Sequence, residues 1–108
     1  MSLIDFSRAV TAEDHAAARA ARSRDTARAV CRKRILAAWS KSAQCNLAGA
    51  AAAGLLTPQE AAHHRAALDW VGRMRGHWPN LAAAGRDPHD DETWPTLPDA
   101  VADFLARY

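Results

Sequence analysis

A chain of 108 residues with a net charge of +2 has the size of one small domain. Alanine supplies 27 residues, while Leu, Ile, Val and Phe together supply 17, so helices form readily over a core poor in bulky side chains. No apolar run is long enough to span a bilayer, residues 1–10 lack the pattern of a secretory signal, and Cys31 and Cys45 fit neither a disulfide framework nor a zinc site, so a folded, cytoplasmic protein with reduced thiols is expected.

In chain order, residues 1–10 form an extended N-terminal lead-in carrying Leu3, Ile4, Phe6 and Val10. Thr11 then opens a helix: its hydroxyl can cap, Glu13 and Asp14 fall in the first turn, and Asp14 stands where a capping box places its acid. No proline follows before Ala53 and no glycine before Gly49. Unbroken, that helix would be ~60 Å long, far beyond the usual length of about 11 residues, so a break is expected around Ser40 to Ser42. Gly54 is placed to end it. Thr57-Pro58-Gln59-Glu60 then gives an N-cap, a proline at the first helical position and a glutamate two further on, a full capping box. So short a connection makes the two helices antiparallel neighbours. The second helix is expected to stop near His77, because Pro79 follows.

Beyond residue 80 the pattern weakens. Leu81 to Ala84 offers one further helical turn closed by Gly85, and residues 81–98 read as a polar, proline-punctuated loop holding Trp94. The last element is a helix over residues 99–108, with Pro98 near its start and Thr96 available as a cap. Val101, Phe104 and Leu105 share one face, which docks on the hairpin together with Trp94. The predicted fold is all-α, a single domain in which residues 11–80 make a long antiparallel helical hairpin. Its core is expected from Ile35, Leu36, Trp39, Ala43, Leu47 and Ala50 on the first helix. They face Ala61, Ala67, Leu68, Trp70, Val71, Met74 and Trp78 on the second, at helical spacing.

Small residues recur along the first helix at steps of three and four: Ala16, Ala20, Ser23, Ala27, Cys31, then Ala38, Ser42, Cys45 and Gly49, with Arg34 interrupting. Such a repeat stays on one side of a nearly straight helix. An alanine-rich helix produces stripes of this kind by composition alone. Read functionally, the stripe is a homodimer seam near Ala27, Cys31, Ala38, Cys45 and Gly49. Cys31 and Cys45 lie ~21 Å apart along a continuous helix and cannot bridge within one chain. A thin core completed by a second copy gives the same expectation.

Charge is unevenly divided: residues 1–54 hold nine Lys or Arg against four acids, and residues 55–108 five against eight. Arg19, Arg22, Arg24, Arg28, Arg32, Lys33, Arg34 and Lys41 suggest nucleic acid. At 100° per residue, however, Arg19, Arg22 and Lys33 fall on one side and Arg24, Arg28 and Arg32 on another, as on a solvated helix, so no nucleic-acid partner is expected. His63 and His64 are adjacent and point apart; His15, His77 and His89 have no partner at ligand spacing. His89-Asp90-Asp91-Glu92 lacks the glycine of a calcium loop. Both cysteines lie near cations in sequence, which favours a thiolate, but no histidine accompanies them and a packed cysteine is the commoner case. Neither a catalytic residue nor a cofactor is called for. Of the four tryptophans, Trp39 and Trp70 suit the core, while Trp78 and Trp94 stand beside prolines; packing and an exposed contact for a partner both remain open for that pair.

Two segments carry a resemblance. Phe6-Ser7, then Val10-Thr11-Ala12-Glu13-Asp14 before an Ala/Arg-rich helix, is similar to the start of many short proteins encoded in phage and prophage tail regions. So is the hairpin Gly54-Leu55-Leu56-Thr57-Pro58-Gln59-Glu60, with His64, Arg65-Ala66-Ala67-Leu68-Asp69-Trp70-Val71 and Met74-Arg75 following. The ending Trp94-Pro95, Leu97-Pro98 is of the kind they carry. The resemblance spans about half of the chain, rests on motifs of low specificity, and brings no catalytic residues. It implies a non-enzymatic accessory or structural protein of a tail or tail-fibre assembly, working through helix surfaces on phage structural proteins, with no membrane partner. A small nucleic-acid-binding regulator using the basic first helix is the alternative.

Overall fold

The computed structural model describes residues 3–108, with side chains from Thr11 onward. Four α-helices follow one another: α1 (Leu3–Ala38), α2 (Lys41–Ala52), α3 (Pro58–Ala84) and α4 (Asp99–Leu105), with a short 3-10 turn at Asp91–Thr93. Among the described residues there is no strand, and α1 packs against α3 while α4 packs against α3. The fold is an all-α hairpin.

The hairpin turn is built as its chemistry dictates. Gly54 is left-handed (φ 70°). The Gly54 and Leu55 N–H groups donate back to the Ala51 and Ala50 carbonyls, the paired closure that satisfies a helix end. Thr57 then accepts from the Glu60 N–H at 3.1 Å, and the Glu60 carboxylate accepts from the Thr57 N–H at 2.9 Å. The break in the long first helix falls at Trp39–Ser40 and uses neither proline nor glycine. The Ser40 hydroxyl accepts from the Ala43 N–H, and the Gln44 side-chain amide donates to the freed Trp39 carbonyl at 2.9 Å. Trp39, 2% exposed, is driven into the core at this joint.

Two element boundaries differ from expectation. Helix α1 begins at Leu3, so no extended lead-in precedes Thr11 and Thr11 is not its cap; residues 1 and 2, and the side chains of Leu3, Ile4, Phe6 and Val10, lie outside the described residues. At the other end, α3 runs through Pro79 to Ala84. Proline inside a helix costs about 3 kcal/mol, but continuing it carries Leu81 into the core. The helix then ends on Gly85 (φ 66°), where the Gly85 and Arg86 N–H groups bond the Ala82 and Leu81 carbonyls. Burial of Leu81 and this closure offset the lost hydrogen bond. Residues 81–84 are therefore the end of α3 rather than part of a loop, and helix α4 follows at Asp99 on the backbone of Pro98, without a cap from Thr96.

The core gathers Ile35, Trp39, Ala43, Leu47, Ala67, Trp70, Val71, Met74 and Leu81, joined by Trp94, Val101, Phe104 and Leu105. Trp78 and Ala38 pack half-buried at its edge. Leu36 and Leu68, expected inside, are 36% and 52% exposed. In each case the neighbour one position away takes the inward place, Ile35 for Leu36 and Ala67 for Leu68. An alanine at the contact brings the backbones closer than a leucine would allow.

Helix α1 is 36 residues long and α3 27. At 1.5 Å per residue α1 outreaches its partner by about 14 Å even before any offset. From Thr11 to Thr26 every side chain is exposed apart from Ala18, which is half-buried. The molecule thus consists of a packed hairpin body and an arm, and its longest axis is 72 Å.

Candidate functional site

One flank of the hairpin body carries a basic cleft. Arg28 and Arg32, one turn apart on α1, Lys41 from the first turn of α2, and Arg75 from α3 line it together with Gln44. Cys31, Ile35, Leu36 and Trp78 supply its apolar lining, and the cavity measures 460 Å³. Leu36 is exposed because it forms part of this wall. Arg24, one turn before Arg28, lies over the Trp78 ring with its guanidinium carbon 5.5 Å from the centroid. Among the described residues, none of the four lining cations forms an ion pair and no carboxylate lines the cleft.

The cleft was only half visible in the sequence. The row Arg24, Arg28, Arg32 has the four-residue step of one helix face, but Lys41 and Arg75 reach the same place through the break at Ser40 and the packing of α3. Three of the charges that look dispersed along the first half, Arg28, Arg32 and Lys41, converge with Arg75 once three elements are assembled.

On the opposite flank the acids collect. Arg34 lies about 200° around α1 from Arg32 and is not available as a free cation. Its guanidinium bonds the Pro88 carbonyl at 3.3 Å, pairs with Asp91 at 2.8 Å, and stands 5.4 Å from the Trp94 ring centre. The Trp94 indole N–H donates to the same Pro88 carbonyl at 2.7 Å, and the Trp70 indole N–H to that of Pro95 at 3.0 Å. These contacts lash the segment 86–98 to the body. Asp87 accepts from the His89 N–H and imidazole, which holds its carboxyl below the usual range.

The two cysteines have different surroundings. Cys31 is buried, its thiol donating to the Met74 carbonyl at 3.4 Å, and burial raises its pKa against the opposing charge of Arg75. Cys45 is exposed. The seam drawn through Ala27, Cys31, Ala38, Cys45 and Gly49 is therefore not one face. Ala27 and Cys31 are buried and Ala38 half-buried inside the chain, while Cys45 and Gly49 face solvent beyond the break. The small side chains at Ala27 and Cys31 serve the close approach of α3.

The histidines are scattered. His63 packs on Phe104, His64 meets Trp39 edge-on and His77 meets Trp94. Among the described residues no three His, Cys, Asp or Glu side chains gather as a metal would require, and no helix is long and apolar enough to cross a membrane. No family model, curated protein or solved structure matches this chain.

Proposed function

We propose that this chain is a non-enzymatic accessory or structural protein of a phage or prophage tail module, acting through helix surfaces and associating with a second copy of itself. The observation that carries the reading is the exposed arm. The line of small side chains that lets α1 meet α3 at Ala27 and Cys31 continues towards the N-terminus through Ser23, Ala20 and Ala16, all of them exposed. Most helical stability in proteins comes from packing of one face, and the same close-packing surface is free to take another helix where α3 no longer covers it. The seam moves accordingly from Ala27–Gly49 to Ala16 and Ala20, because Ser23 still faces the end of α3 across a groove.

Sedimentation over a range of concentrations tests the association. Wild type should dimerise, and the pair Ala16→Glu and Ala20→Glu should return it to monomer through bulk and buried charge, with the melting temperature of the body unchanged. A wild-type monomer at high concentration removes the dimer. The tail assignment is tested separately by the neighbouring genes: tail genes on either side support it, a regulatory operon does not.

The alternative, a nucleic-acid-binding regulator, draws on the Arg24–Arg28–Arg32 row beside Arg75. It requires a salt-dependent, sequence-selective gel shift with duplex DNA; the reading favoured above expects only weak non-specific binding.

A further inference from the structure

The basic cleft is more than either surface reading needs. Four cations drawn from three helices surround one cavity, and among the described residues no carboxylate lines it. Gathered like charges repel one another and work against the compact state, so their convergence gives the fold nothing. Lys41 adds the positive end of the α2 backbone dipole. Beside this charge lie Leu36 and the ring of Trp78, an apolar and flat surface.

We propose that the cleft binds a small phosphate-bearing molecule with an apolar or aromatic portion, of about the size of a nucleoside diphosphate. A single carboxylate would leave most of the charge unanswered, whereas a diphosphate carries several negative charges. Its oxygens also accept the forked N–H groups of Arg28, Arg32 and Arg75. The cavity of 460 Å³ falls within the ~300–1,000 Å³ usual for small-molecule sites. A ring packed against the edge formed by Trp78 and the Arg24 guanidinium that lies over it would add to what the phosphates provide. A polymer would favour a track of cations along one surface, whereas here they close round a pocket. The inference is independent of self-association.

The test uses the full chain, labelled with ¹⁵N, and four probes: ADP, inorganic pyrophosphate, adenosine and a single-stranded oligonucleotide. ADP and pyrophosphate should shift the amides of Arg28, Arg32, Lys41 and Arg75, with ADP also moving the Trp78 indole signal and binding tighter. Adenosine should leave the spectrum unchanged. Arg32→Gln and Arg75→Gln should each weaken ADP at least about tenfold, as expected for losing a charge-assisted contact. Both residues are exposed, so each variant should melt at or above the wild-type temperature once repulsion is relieved. No saturable shift with ADP or pyrophosphate up to about 1 mM overturns the proposal, as do shifts centred away from these residues or variants that bind as wild type. Oligonucleotide binding without ADP binding also overturns it, transferring the cleft to nucleic acid.

Discussion

The body and the arm of this molecule use the same residue for opposite ends. In the body, alanine at positions 27, 43 and 67 is buried and lets helices approach closely enough for Leu47, Met74 and Phe104 to be sealed almost completely. In the arm, Ala16, Ala17, Ala20 and Ala21 are exposed and within the single chain contribute only their preference for helix. Within the chain, alanine therefore marks a close contact only where bulky neighbours stand beside it. Those neighbours, not the count of small residues, separate a finished core from an unfinished surface.

The sharpest way to break this contrast is to remove a bulky side chain from the body. Phe104→Ala should cost about 3–5 kcal/mol and Leu47→Ala about 2–5 kcal/mol, read from denaturant midpoints. Both residues are fully buried. Leu68→Ala, although it looks equivalent in the sequence, should stay within about 0.5 kcal/mol because the side chain stands in solvent. A large loss at Leu68 and a small one at Leu47 would reverse the assignment of the two faces.

Thr57→Ala should cost about 1 kcal/mol by removing the cap of α3. The same cap sets a pH dependence. Glu60 accepts the Thr57 backbone N–H and sits against its hydroxyl, which holds its carboxyl below the ordinary range. The unfolded chain therefore takes up the proton first, so this contribution is complete above the ordinary glutamate value, about 4.3. It fades as the pH falls from there through the lower folded value. Melting temperature should drop on acidification across that window, and Glu60→Gln should flatten the drop. Smallest of all, Asp69→Ala removes an exposed i, i+4 pair with Arg73 and should change stability by about 0.3–0.5 kcal/mol.

What could be read beforehand was local. The hairpin turn from Gly54 to Glu60 is specified by residues that bond one another within a few positions, and the structure has those bonds. The face of Val101, Phe104 and Leu105 was legible because a short helix with three bulky residues leaves little choice. Leu36 and Leu68 differ from expectation because each adjoins a second apolar residue, and periodicity alone does not say which of two neighbours turns inward. Pro79 reads as a stop because the rule against it is local, whereas the burial of Leu81 that outweighs it is tertiary. The cleft stayed hidden for a related reason: Arg28 and Arg32 announce a row, but Lys41 and Arg75 join it only after the chain bends at Ser40 and returns.

The unequal fate of the two thiols makes the chain its own opening gauge. Mixed with a thiol reagent, the native protein should consume one equivalent at once through Cys45 and a second through Cys31 at a slow rate set by how often α1 parts from α3. When closing outpaces labelling, the ratio of that rate to the rate in the unfolded chain gives the free energy of local opening. An unaltered protein, with no probe introduced, thus reports how tightly its hairpin is shut.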